Sequence, residues 1–128
     1  MPTTKLFLLI ASASGMIAVI LGAFGAHGLK NMIAPQLLTV WQTAVQYHFY
    51  HTFALLVVAL VGIHIGGSHW LNLSGYLLIV GILMFSGSLY ALALGGPRWL
   101  GPITPVGGLM FILGWLSLFI AVLKTHET

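Results

Sequence analysis

Three stretches of this chain are apolar over a length that a small water-soluble protein has no room to bury: Leu6 to Ala26, Leu71 to Leu94 and Pro105 to Leu123. Each reaches about the 20 residues that a helix rising about 1.5 Å per residue needs to cross a bilayer. The fourth apolar run, Phe53 to Ile63, has only 11 residues. That is roughly 16 Å of helix against a hydrocarbon core of about 30 Å. A helix that crosses here must extend backwards through His51, His48 and Gln46 to about Ala44. Pro35 could open it earlier still, with Gln36 to Thr43 at or above the interface. His48 and His51 are therefore predicted inside the membrane boundary, in the first turns of the span. The expected fold is all-α, a transmembrane four-helix antiparallel bundle. It forms one integral membrane domain over residues 1–128, with spans at about 6–26, 44–65, 71–94 and 105–123.

Charge agrees with this. Hydrophobic residues make up 59% of the chain and charged residues 4%, where a soluble domain carries about 25%. Lys5, Lys30, Arg98, Lys124 and Glu127 are too few to cover a water-facing surface. The cations are scattered, so there is no basic stripe to release counterions from phosphates, and nucleic acid is not an expected partner. Thiol catalysis, disulfides and thiolate metal sites are excluded by the absence of cysteine. Lys5 followed by an apolar run has the plan of a signal peptide. Yet the run has 21 residues, longer than the roughly 7–15 of a signal core, and it reads as a retained helix.

Thr104 is the expected N-cap of the last helix, with Pro105 at its first position. Gly66-Gly67-Ser68-His69-Trp70 reads as a short turn, and Gly95 to Pro102 as a turn-rich loop. Trp41, Trp70 and Trp99 fall near predicted helix ends, as interfacial aromatics do. Four spans put both termini on one side. Lys5 and Lys124 lie there, Lys30 and Arg98 opposite, so the cation bias assigns no orientation.

Lipid gives helices no hydrophobic reason to associate, so small residues that allow close approach matter more. Ser14, Ala18, Gly22 and Ala26 form one such stripe, with Ala11 and Gly15 beside it. Gly87, Ala91 and Gly95 form another, and Gly107 and Gly114 stand a heptad apart. These stripes serve either packing within the bundle or a homo-oligomer interface.

Sorted by membrane side, His27, Gln46, His48, His51, Ser86, Ser88, Tyr90, Arg98 and Thr104 gather towards one face. His64 and His69 lie at the other, with His126 in the tail. His48 and His51 are three apart and share a helical face, which His27 could meet from the neighbouring helix. Ionisable residues in spans are costly and often functional, and histidine is the commonest metal ligand. The cluster can be a structural network, a lipid or small-ligand site, or a metal, haem or proton-handling site, with His27, His48 and His51 as candidate ligands of a three-histidine metal site. Ser86 and Tyr90 share a face. A mid-helix serine commonly bonds back to its own helix, and Tyr90 could be a belt aromatic or hydrogen-bond His51 or His27. Arg98 is expected in water or at headgroups, with phosphate binding as the alternative reading. No Asp or Glu precedes Glu127, so there is no carboxylate pair for acid–base work.

Several segments carry a resemblance: Gly22-Ala23-Phe24-Gly25-Ala26-His27-Gly28-Leu29; Gln42-Thr43-Ala44-Val45-Gln46-Tyr47 with His51; Phe85-Ser86-Gly87-Ser88-Leu89-Tyr90; Thr104-Pro105-Val106-Gly107-Gly108; and Gly114-Trp115. Together, and in this order, they resemble the YgdD-like family of small bacterial inner-membrane proteins, a domain of unknown function. A related mitochondrial group in animals is known only as a transmembrane protein. The resemblance covers nearly the whole chain. It implies a four-span protein of the bacterial inner membrane, with no activity established for the family. The family's recurring polar positions map onto His27, Tyr47, His51, Ser86, Ser88, Tyr90 and Thr104. Residue 48 is more usually glutamine there, which weakens a three-histidine metal site.

The reading that results is a non-enzymatic, multi-pass membrane protein with a one-sided polar cluster of His27, Gln46, Tyr47, His48, His51, Ser86, Ser88, Tyr90 and Thr104. That cluster is structural or binds a lipid or partner. Membrane lipid is the expected partner and no cofactor is assigned. The alternative is a histidine-based metal, haem or proton-handling site in a small transporter or cofactor-binding protein.

Overall fold

The computed structural model describes residues 2–125; His126 and Glu127 lie outside that range. Four helices are long and apolar enough to cross a membrane. They are α1 (Pro2–His27), α2 (Pro35–Ile65), α3 (His69–Ala93) and α4 (Ile103–Leu123). Consecutive helices run antiparallel. α1 packs on α2 and α3 on α4, while α2 packs on α3 and joins the two pairs. The result is an all-α four-helix bundle.

The helix ends follow local chemistry. Pro35 opens α2 where its missing N–H costs nothing. The Ser68 hydroxyl caps α3 by accepting from the Leu71 N–H at 3.3 Å. α3 ends in a Schellman motif: Gly96 N–H donates to Ala91 O at 2.8 Å and Gly95 N–H to Leu92 O at 3.1 Å. Gly95 sits at φ +91°, where a side chain would be strained. The start of α4 corrects an expectation. Thr104 is not its N-cap: the helix begins at Ile103, after a 3-10 turn at Arg98–Leu100. Thr104 is instead the second helical residue, and its hydroxyl bonds that of Ser88 on α3. Pro105 becomes the third helical residue, still within the turn whose N–H groups have no intrahelical acceptor.

Within α3, Ile82–Ser86 form a π turn, closed by Gly87 N–H to Ile82 O. One extra residue in the turn re-aims every side chain beyond it. The backbone of Phe85 lies so close to Gly107 of α4 that any Cβ there would overlap it. Gly114 similarly admits Leu78, and Gly75 admits the ring of Phe7 from α1.

Small residues also set the register of α1 against α2. Gly25 faces Trp41, Gly22 faces Val45, Gly15 faces Thr52, and Gly62 of α2 faces Thr4. Ala11 and Ala18 are buried in the same seam, whereas Ala26 is exposed. The stretch of α2 beside Thr4–Gly25 therefore runs from Trp41 to Gly62. His51 stands about ten residues, roughly 15 Å, from either end of it. His51 therefore lies near the middle of the packed α1–α2 seam. Trp41 is also not an interfacial aromatic. It is 3% exposed, donates its indole N–H to Leu21 O at 2.9 Å and packs on Tyr90. Trp70 lies under the Lys124 ammonium at 5.9 Å, and Trp99 is exposed.

Candidate functional site

A polar side chain inside an apolar slab has only other protein groups to bond to, and the hydrogen bonds of α2 show how this chain arranges it. His48 and His51 lie on adjacent parts of its surface and both are 5% exposed. They enter different surroundings.

His48 is the centre of a chain of hydroxyls that ties three helices. Its Nδ1 is 2.9 Å from the Tyr90 hydroxyl of α3, and its Nε2 is 2.9 Å from the Ser14 hydroxyl of α1. Ser14 in turn lies 2.6 Å from the Thr52 hydroxyl. Every member except the imidazole is a hydroxyl, able to donate or accept. The chain can therefore run with its protons pointing either way, and nothing in it selects one His48 tautomer.

His51 is locked. The Trp115 indole N–H of α4 donates to its Nε2 at 3.1 Å, and an indole only donates. Nδ1 must then carry the proton, and it lies 2.8 Å from Tyr47 O, which only accepts. The ring is a neutral imidazole with no spare lone pair. It stacks on Phe111 at a centroid distance of 3.5 Å and an interplanar angle of 8°.

Around these, further hydroxyls cross between helices. Ser86 does not bond back to its own helix: its hydroxyl donates to Ala44 O on α2 at 2.8 Å. Ser74 donates to Gly114 O on α4 at 2.7 Å. Ser88 donates to Phe85 O at 3.0 Å, so the Thr104 hydroxyl beside it must donate to Ser88. No buried side-chain nitrogen or oxygen among the described residues lacks a partner.

The proposed cluster members thus divide. His48, His51, Ser86, Ser88, Tyr90 and Thr104 enter interhelical hydrogen bonds, Tyr90 with His48 rather than with His51 or His27. Tyr47 contributes its carbonyl to His51, while its ring packs on Phe85 at 4.7 Å. Gln46 and His27 are exposed and take no part. His27 and His51 are not brought together as ligands, and no group of three His, Asp or Glu among the described residues could hold a metal. Sequence reasoning missed Thr52 and Ser74, treated Ser14 as a spacer, and gave Trp115 no partner. One signal for Trp115 was available: an indole N–H far from either helix end needs an acceptor inside the bundle.

Two openings flank this core. A crevice of about 360 Å³ lies between α1 and α3, with Ser14, His48 and Tyr90 at its floor and Ile10, Ile17 and Leu83 among its walls. A cleft of about 540 Å³ lies between α2 and α4 beside the π turn.

A family model described as "Protein of unknown function (DUF423)" matches residues 21–108. The UPF0382 membrane protein YwdK of Bacillus subtilis (strain 168) is 43% identical over 120 residues, which cover 94% of this chain and 98% of that protein. A UPF0382 membrane protein of Staphylococcus epidermidis (strain ATCC 12228 / FDA PCI 1200) is 47% identical over 122 residues, covering 94% and 97%. No solved structure matches.

Proposed function

This chain belongs to the DUF423 family of membrane proteins, and from that premise we propose that it is a non-enzymatic lipid-binding bundle whose crevice between α1 and α3 holds an acyl chain of the surrounding bilayer. The crevice carries the reading. It opens sideways, with Ile17, Leu83 and Gly87 exposed at its rim. From Ile10 to Leu21 it follows α1 for about 16 Å. Its walls are aliphatic, and the polar atoms of its floor are turned towards one another. Such a slot suits a flexible hydrocarbon chain. The hydrogen-bonded core is then a clamp that keeps α1, α2 and α3 in register while one side stays open.

Native mass spectrometry of the protein released from detergent tests this. Wild type should retain one phospholipid. Gly87→Leu should lose it, because a Cβ at Gly87 meets nothing within 4 Å and a larger side chain would fill the slot without disturbing the backbone. A wild type free of lipid, or retention unchanged in the variant, would defeat the reading.

The same reading assigns the protein to the bacterial inner membrane, near the YgdD-like proteins. A second copy of the chain is the competing occupant of the face around Gly87 and Ala91. The alternative of a histidine-based metal, haem or proton site has less support, since both nitrogens of His51 are engaged.

A further inference from the structure

The cleft between α2 and α4 differs in kind from the crevice. Its walls are aromatic: Tyr47 from α2, Phe85 from the π turn, Phe111 and Trp115 from α4, with Gly108 leaving one wall thin and Ile112 at the rim. Tyr47, Ile112 and Trp115 are 38%, 64% and 47% exposed, so it opens on the apolar outer surface of the bundle. Its volume of about 540 Å³ is within the roughly 300–1,000 Å³ of small-molecule pockets.

Three features define the occupant. First, ring faces pack best against another flat ring, in offset or edge-on contact. Tyr47 and Phe85 stand 4.7 Å apart at 37°, and His51 already stacks on Phe111 at the floor. Second, no Asp, Glu, Lys or Arg lines the cleft, and its floor is at the level of His51, so a charged head would be buried without a counter-ion. Third, the Tyr47 hydroxyl has no hydrogen-bond partner among the described residues. The Trp115 indole is already committed to His51. One donor is therefore available, at the lip of an otherwise apolar, ring-lined slot.

We propose that this cleft binds the ring of an isoprenoid quinone. A quinone carbonyl accepts from the Tyr47 hydroxyl, the ring lies against Phe85 and Trp115, and the isoprenoid tail passes out between α2 and α4 into the bilayer. The site is separate from the acyl crevice, and either can be plugged alone. A Cβ at Gly108 makes only ordinary contact with the Phe85 ring, at 3.7 Å. Gly108→Leu therefore fills the cleft without moving backbone, as Gly87→Leu fills the crevice.

The test uses the full chain in nanodiscs of saturated phosphatidylcholine, titrated with a 1,4-naphthoquinone bearing one isoprene unit and read by quenching of tryptophan fluorescence. Wild type should quench saturably. Gly108→Leu should weaken binding by about tenfold or more, and Tyr47→Phe by about fivefold, the loss of one net hydrogen bond. Gly87→Leu should bind as wild type. Should Gly108→Leu fail to fold, Ile112→Trp on the exposed rim must show the same loss. Quenching that rises linearly with added quinone, as simple partitioning would, overturns the proposal. So does saturable binding that survives the Gly108 and Ile112 plugs. An isoprenoid alcohol of equal length that competes as well as the quinone overturns it too, by reducing the cleft to a hydrocarbon groove.

Discussion

His48 and His51 stand three residues apart on one helix, are equally buried, and behave oppositely because of what their neighbours can do with a proton. The partners of His48 are hydroxyls, which donate or accept, so its bonds survive reversal of the whole chain. The partners of His51 are an indole N–H and a carbonyl, each able to act in one sense only. Burial and spacing do not distinguish the two rings. Three residues of helix turn through about 300°, leaving the side chains about 60° apart. That is enough to send one into the α1–α3 side of the bundle and the other towards α4. The hydroxyl side is adaptable and joins three helices; the aromatic side is fixed and fastens α2 to α4.

Removing the fixed ring should cost most. His51→Ala deletes the stack on Phe111 and orphans the Trp115 indole, and should lower stability by about 3 kcal/mol, as large-to-small core changes do. Reversible unfolding in mixed detergent measures it. Trp115→Phe keeps most of the ring but removes the donor to His51. A loss of about 1 kcal/mol is expected, and in the same variant Tyr47 O should still hold the proton on Nδ1, leaving Nε2 as an acceptor without a partner. On the adaptable side the effects shrink. Tyr90→Phe removes the end of the chain and should cost about 0.6 kcal/mol, a typical interhelical hydrogen bond in a membrane. His48→Gln should change stability by less than about 0.5 kcal/mol, because an amide supplies one donor and one acceptor to the same two hydroxyls. A His48→Gln loss as large as that of His51→Ala would erase the contrast. Nitrogen-15 spectra sharpen it further: His51 should show a single Nδ1–H tautomer, and His48 a mixture.

Much of this is legible in the sequence. The four helices are, since apolar length in a chain with five charged residues has few other meanings. The short run at Phe53–Ile63 also showed that α2 must carry His48 and His51 into the apolar slab. Depth was not legible, because it depends on register, and the register is set by pairs such as Gly25–Trp41 that no single sequence displays. The Thr104 cap failed for a related reason: the helix starts at Ile103, and packing turns the Thr104 hydroxyl towards Ser88 of α3. Residue types that bond across helices were recognised, but not their partners. Ser14, Ser74 and Ser86 all reach other helices, and only packing decides whether a serine turns to its own carbonyl or a neighbour's.

The small-residue stripes teach the same lesson. Ala18 is fully buried, so this part of the α1 stripe serves the bundle itself. Gly95 has a different reason to be glycine, its positive φ at the end of α3.

The account depends on mid-helix side chains facing hydrocarbon, with His51 at its centre. The chain has no cysteine, so a single nitroxide label can be placed cleanly. Ile112, exposed and beside Trp115 on the cleft rim, is the decisive position. A label at Ile112→Cys should be highly accessible to oxygen and shielded from a water-soluble nickel chelate, with Lys30→Cys showing the reverse. Equal access of the chelate to both positions would contradict it.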